Sequence, residues 1–144
     1  HKRLRRQRQM CIRDRFLIVF IVHFIVYAVY AIRAVFKTKS FIDQYGMDDS
    51  SASMVRFFGA PFIASFLMAL YILFIRDEGI DGTWGFFVLI FAQNLLYFII
   101  GIYTFYINKL GHNEKTTNEG VIASGVLTIL SAVLCYGLAD KIYI

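Results

Sequence analysis

The sequence predicts an all-α integral membrane protein, an antiparallel four-helix transmembrane bundle. Three observations carry that expectation. First, 58% of the 144 residues are hydrophobic and only 17% are charged, against roughly 45–50% and about 25% in soluble domains. A globule this small cannot hide such an excess behind a polar surface, whereas a bilayer replaces water as the solvent for its outer faces. Second, the apolar residues gather into four runs, each near the roughly 20 residues that cross about 30 Å of hydrocarbon. Third, the runs are apolar all round and do not alternate, which points to helices and away from β-barrel strands.

The first run, 16–32, is unbroken by formal charge, and Arg33 just beyond it is placed to snorkel to the headgroups. Counting their flanks, the four spans fall at about 16–36, 54–76, 83–108 and 120–139, in a single domain covering 16–144. "GMDDSSAS" offers Asp48, Asp49 and Ser50 as N-caps, so the second helix should begin outside its apolar run, near Ser51, with Pro61 inside it as a kink. "RDEGIDGTW" reads as a short turn between the second and third spans, and "NKLGHNEKTTNEG" as the connection between the third and fourth. The longest connection, 37–49, contains "SFIDQYG", expected to lie at the interface as a short amphipathic piece. Trp84, Tyr103, Tyr106 and Tyr143 sit near span ends, where aromatic belts occur. The first span is too long for a secretory h-region, and Ala28 and Ala31 are three apart instead of two, so a retained helix is expected.

The chain carries little that reads as reaction chemistry. Cys11 and Cys135 form no CxxC pair and have no histidine at metal-ligand spacing. His23 lies within the first span and His112 beyond the third, so they do not match in depth as haem ligands would. The spans contain no Asp or Glu, which disfavours proton-coupled exchange through a membrane-embedded acid. No catalytic, cofactor or metal residues are therefore assigned. The formal charge of +5 is no nucleic-acid footprint, because seven of the fifteen Lys and Arg crowd into the first 15 residues. The expected partners are membrane lipids and a second copy or a larger membrane complex, with no nucleic acid.

Polar residues inside the spans are the candidates that remain. In the third span Asn94, Tyr97, Gly101, Thr104 and Asn108 recur at steps of 3, 4, 3 and 4, one stripe of a helix, with Gln93 beside it. In the fourth, Gly120, Ser124, Thr128 and Ala132 follow at four-residue steps. Small residues at that spacing let helix backbones approach, and hydroxyls bond across. Either these stripes are the seams of the bundle, or they line a small polar cavity for a lipid, a quinone or another solute. His23 has two readings as well: a proton relay or ligand, or a neutral imidazole hydrogen-bonded to a neighbouring helix. Arg56, one turn into the second helix in "SMVRFFGAP", either pairs with Asp48 and Asp49 at a cavity rim and binds an acidic headgroup, or marks the membrane boundary.

The stretch "DDSSASMVRFFGAPFIASFLMALYILF", followed by a short turn, an aromatic third span and a small-residue fourth, resembles a broad group of uncharacterised bacterial four-helix membrane proteins of the DoxX-like type. An Arg followed closely by Gly-Ala opens the second span in that group. Arg56, Gly59 and Ala60 are the positions that match it. The resemblance covers about 16–143 and implies the four-helix fold, with no catalytic residue to carry over. This chain departs from the group in its long third span, richer in Phe and Tyr.

Two function classes follow from the residues. One is a non-catalytic accessory or interaction subunit, self-associating through the small face of the fourth span. The other is a binder, carrier or membrane enzyme for a small hydrophobic molecule held between the third and fourth spans. The expected location is a bacterial inner membrane. Orientation depends on residues 1–15. With them, nine Lys and Arg lie on the side of the termini and six on the other (Arg33, Lys37, Lys39, Arg56, Lys109, Lys115), which puts both termini in the cytoplasm. The chain as written opens on His1, and "RQRQMCIRDR" resembles the translated remnant of a sequencing adapter. Residues up to about Arg15 are therefore expected to be non-native. Without them the balance reverses to two against six, and the cytoplasmic placement then rests on the resemblance.

Overall fold

The computed structural model describes residues 2–77 and 83–138, with side chains for 15–77 and 83–137. The turn at 78–82, Lys141 and Tyr143 lie outside the described residues. Five helices follow in order: α1 (Lys2–Val35), α2 (Thr38–Gln44), α3 (Ala52–Phe74), α4 (Trp84–Ile102) and α5 (Glu119–Leu138). Four segments are long and apolar enough to cross a membrane: Arg15–Val35, Asp49–Phe74, Trp84–Ile107 and Glu119–Gly137. They make this a helical membrane protein, as composition requires.

Local chemistry sets the ends of these helices. At the end of α1 the amides of Phe36 and Lys37 both return to the Ile32 carbonyl, at 2.9 and 3.2 Å. The Thr38 hydroxyl then donates to the carbonyls of Ala34 (2.7 Å) and Val35 (3.1 Å), stitching the last turn of α1 to the start of α2. The connection at 37–49 is thus more ordered than an interfacial loop. Phe41 and Ile42 of α2 pack with Ala34 and Val55 as a second small core. Gly46, at φ 65°, supplies the left-handed turn after α2. Asp48 accepts from the Asp49 amide at 2.8 Å and starts a 3₁₀ turn, Asp49–Ser51, that leads into α3. The cap therefore sits one turn ahead of α3, while Ser51, next to its first residue, makes no capping bond. α3 runs through Pro61 to Phe74.

The third span is not one uninterrupted α-helix. After Ile102 the chain widens into a π-helical turn, Tyr103–Ile107, closed by the Asn108 amide on the Tyr103 carbonyl at 2.8 Å. Thr104 turns its hydroxyl back onto the Ile100 carbonyl, a bond that competes with the regular ladder. The wider turn shifts the register, so the polar stripe ends at Thr104. Asn108 leaves it and donates to the Tyr103 hydroxyl (3.3 Å) instead.

Packing is uneven around the bundle. α1 lies against α3 and α5, and α5 lies against α4 and α1, whereas α3 and α4 approach each other far less closely. Gly59 of α3 sits beside Ala34 and Val35 at the end of α1, and Gly137 beside Phe16 at the start of the α1 span. Gly101 and Gly125 bring α4 against Val121 and α5 against Phe98. These contacts set the end of α1 beside the start of α3, and the start of the α1 span beside the end of α5. Aromatic rings fill the centre. Phe20 meets Phe87 edge-on at 5.7 Å, Tyr27 meets Phe62 at 4.8 Å, and Phe24 stacks on Phe86 at 5.7 Å. Ile18, Phe57, Leu89 and Ile129 face outward, where lipid takes the place of a protein neighbour.

Candidate functional site

Asn94, near the middle of α4, is 1% exposed and gathers three helices. Its Oδ1 accepts from the Tyr27 hydroxyl at 2.6 Å. Its Nδ2 lies 2.9 Å from His23 Nε2, 3.1 Å from Ser131 Oγ and 3.3 Å from the Leu127 carbonyl. The spacing explains the convergence: His23 and Tyr27 are four apart on α1, and Leu127 and Ser131 are four apart on α5, so each pair presents one helix face. The Leu127 carbonyl can only accept, which fixes Nδ2 as the atom facing it. An amide nitrogen only donates, so His23 Nε2 accepts and the ring proton sits on Nδ1. The imidazole is therefore neutral and bonded to a neighbouring helix, the second of its two readings. Its Nδ1 is buried with no partner. Ser131 keeps its own proton on the Leu127 carbonyl at 2.7 Å.

Tyr27 and Ser131 were not among the candidates read from sequence. Tyr27 carried a signal, four residues after His23. Ser131 falls one position off the Gly120–Ser124–Thr128 row, and only the rotation of α5 against α4 selects it. Gln93 is the reverse case. Its position beside the stripe turns its Nε2 into a buried place with no partner.

Above Asn94 lies a cavity of about 560 Å³. Asn94 and Leu127 are at its deep end, with Phe58 and Phe62 of α3 on one wall and Tyr97 and Gly101 of α4 on the other. Ala123 and Ser124 of α5 form the back, and Ser51, His112, Thr116 and Thr117 lie at the mouth. The space is bounded by α3, α4 and α5, and it is widest where α3 and α4 stand apart. The third and fourth spans, between which the sequence placed a bound molecule, both line this space, and Gly101 and Gly125 bring them together behind it. The chain matches no protein-family model, no curated protein and no solved structure.

The remaining candidates divide. Tyr97 lines the cavity and stacks on Phe62 with ring centres 5.7 Å apart. Thr104 lines it too, but its hydroxyl is spent on the Ile100 carbonyl. Ser124 is buried in the wall and donates to the Val121 carbonyl at 3.0 Å. Thr128 donates to the Ser124 carbonyl at 2.7 Å and does not line the cavity. Arg56 does not pair with Asp48 or Asp49. Its Nε donates to Thr38 Oγ1 at 3.3 Å. The intervening α2 is the reason, because it brings Lys39 to Asp49 at 2.5 Å and to Asp43 at 3.1 Å. Asp49 and then Asp43 raise the pKa of that exposed ammonium. Asp48 is used as the cap. Arg56 therefore stands outside the cavity.

A polar clamp ties the end of the bundle next to the mouth. Arg33 donates to Gln44 and pairs with Glu119 at 3.4 Å, and Gln44 also donates to Glu119. Asn113 donates to the Gly46 carbonyl. Burial raises the pKa of the Tyr45 phenol nearby, so it stays a neutral hydroxyl. Among the described residues no group of three or more His, Cys, Asp or Glu is placed to hold a metal.

Proposed function

We propose that this chain is a membrane-embedded binding protein that holds a small hydrophobic or amphiphilic molecule between α3 and α4. One observation carries the proposal: a space of about 560 Å³ persists in a bundle whose other interfaces close through glycine and aromatic contacts. The space is a groove open along one side, and its volume falls within the roughly 300–1,000 Å³ of ligand pockets. Its wall is mostly aliphatic and aromatic, with hydroxyls of Ser51, Tyr97, Thr116 and Thr117 among its polar groups.

The alternative, an accessory subunit that self-associates through the small face of α5, draws less support. Gly125 is already packed on Phe98 within the chain, and Ser124 faces the cavity. A bacterial inner membrane with both termini in the cytoplasm is part of the proposal; with residues 1–15 set aside, it rests on the resemblance to bacterial four-helix membrane proteins, because the remaining Lys and Arg favour the opposite orientation.

Extraction in a mild detergent followed by lipid mass spectrometry tests the binding reading. One amphiphile should be enriched at least tenfold over its share of the membrane lipid. Ala123→Phe, which fills the back of the cavity from a partly buried position, should abolish the enrichment while the chain stays folded by circular dichroism. Retention of bulk lipid only, in both proteins, would overturn the proposal.

A further inference from the structure

We infer that the molecule in this cavity carries an uncharged polar head and enters from the bilayer through the gap between α3 and α4. The inference rests on the binding reading above and adds to it a chemical class and a route.

The class follows from charge. Among the described residues no Lys, Arg, Asp or Glu lines the cavity. Of the charged groups around it, Arg33 is paired with Glu119 and Lys39 with Asp43 and Asp49, while Lys109, Glu114 and Lys115 share the connection over the mouth without lining the cavity. An ionised head buried here would lose its water without gaining a counter-charge, a cost of several kcal/mol. Tyr30, Tyr45 and Tyr97 also line the cavity, and polar character differs between its two ends. Ser51, Thr116, Thr117 and His112 lie at the mouth, whereas at the deep end the Asn94 amide is committed to His23, Tyr27 and Ser131. That end therefore presents mainly Phe62 and Leu127. A head of hydroxyl, ester or carbonyl groups at the mouth, with a hydrocarbon chain directed toward Leu127, matches this gradient.

The route follows from what holds each side shut. At the mouth, Arg33, Gln44 and Glu119 link α1, α2 and α5, and Asn113 reaches the Gly46 carbonyl. Between α3 and α4 the backbones stay apart, and rings bridge the gap: Tyr97 meets Phe58 at 5.4 Å and Phe62 at 5.7 Å. Met54, Phe58 and Ile100 at the edge are 70%, 39% and 56% exposed, and all three are apolar. In a bilayer that edge faces lipid. A dissolved amphiphile passes it by rotation of side chains alone, without crossing water.

The full chain in phosphatidylcholine nanodiscs allows a direct test with two photoreactive probes sharing one diazirine-bearing acyl chain. One probe is a monoacylglycerol, which is neutral, and the other a lysophosphatidate, which is anionic. Labelling is read by mass spectrometry at Ala123 and Leu127 on the cavity side of α5, relative to the outward-facing Ile122 and Ile129 of the same helix. The monoacylglycerol should label the cavity side at least tenfold more than the lysophosphatidate. Ile100→Trp, which bulks the edge of the gap, should slow that labelling at least fivefold, and Asn113→Ala should leave its rate unchanged. Equal labelling by both probes overturns the uncharged head and leaves the binding reading standing. Faster loading in Asn113→Ala with no slowing in Ile100→Trp overturns the route. Labelling confined to Ile122 and Ile129 with either probe overturns the binding reading itself.

Discussion

Replacing Asn94 with leucine is expected to destabilise the bundle by about 2–4 kcal/mol, the largest effect of any single substitution at the site. The side chain is of similar size, so the loss is polar and not steric. The substitution would leave the Tyr27 hydroxyl and His23 Nε2 buried without their partner, now bonded at 2.6 and 2.9 Å. Ser131 would suffer less, because its proton already goes to the Leu127 carbonyl. Hydrogen bonds between membrane helices average only about 0.6 kcal/mol, since the unfolded helices also find partners. Several such bonds converge on one amide here, and the stranded groups add their own cost. Reversible unfolding in mixed dodecylmaltoside–dodecylsulfate micelles, followed by circular dichroism, measures the difference. The neighbouring substitution Gln93→Leu is the control. Its buried Nε2 meets no well-formed hydrogen bond and interacts only with the Tyr97 side chain, so stability should change by less than about 1 kcal/mol. Equal effects at 93 and 94 would contradict the network.

The second large effect belongs to Gly59, where α3 comes closest to α1. A β-carbon at this position would lie 2.6 Å from Val35 Cγ2, 3.2 Å from Ala34 Cβ and 3.9 Å from the Ala31 carbonyl oxygen. Gly59→Ala meets a methyl of Val35, a β-branched side chain stiff at χ1, and Ala34 Cβ, so it needs a small shift of the helices at about 1 kcal/mol. Gly59→Leu has no such escape and must push the two helices apart, at about 1–3 kcal/mol. The same unfolding assay reads both, and a leucine variant as stable as the parent would show that the α1–α3 contact is looser than described. Tyr27 and Phe62 meet across this seam, so the leucine variant should also disturb the cavity wall and reduce any retained molecule.

Hydropathy made the four spans legible, because crossing a bilayer imposes a length and an apolar composition that few other demands impose together. Asn94 was legible for a related reason: an amide in the middle of an apolar run must find a partner on another helix. Other features were not written locally. α2 is seven residues long, has two adjacent apolar side chains and lacks a side-chain N-cap, so only its docking onto α1 and α3 distinguishes it from a loop. The π turn at Tyr103–Ile107 has no sequence signature, and it removed Asn108 from a stripe that simple periodicity extended too far. The ion pair open to Arg56 does not form because α2 interposes Lys39 and Thr38. The cavity depends on how helices rotate and separate, which no single helix encodes. Gly101, read as part of the polar stripe, joins Gly125 in packing the last two spans together, and both of those spans with α3 bound the opening.

If the space above Asn94 is a binding site and not a packing void, the molecule it holds should travel with the protein. Native mass spectrometry of the intact chain, released from nanodiscs prepared from its own membrane, tests that most directly. The expected result is one adduct per chain, of a single uncharged amphiphile, that is missing from Ala123→Phe at unchanged fold. A bare chain, or a ladder of mixed phospholipids identical in the two proteins, would contradict it.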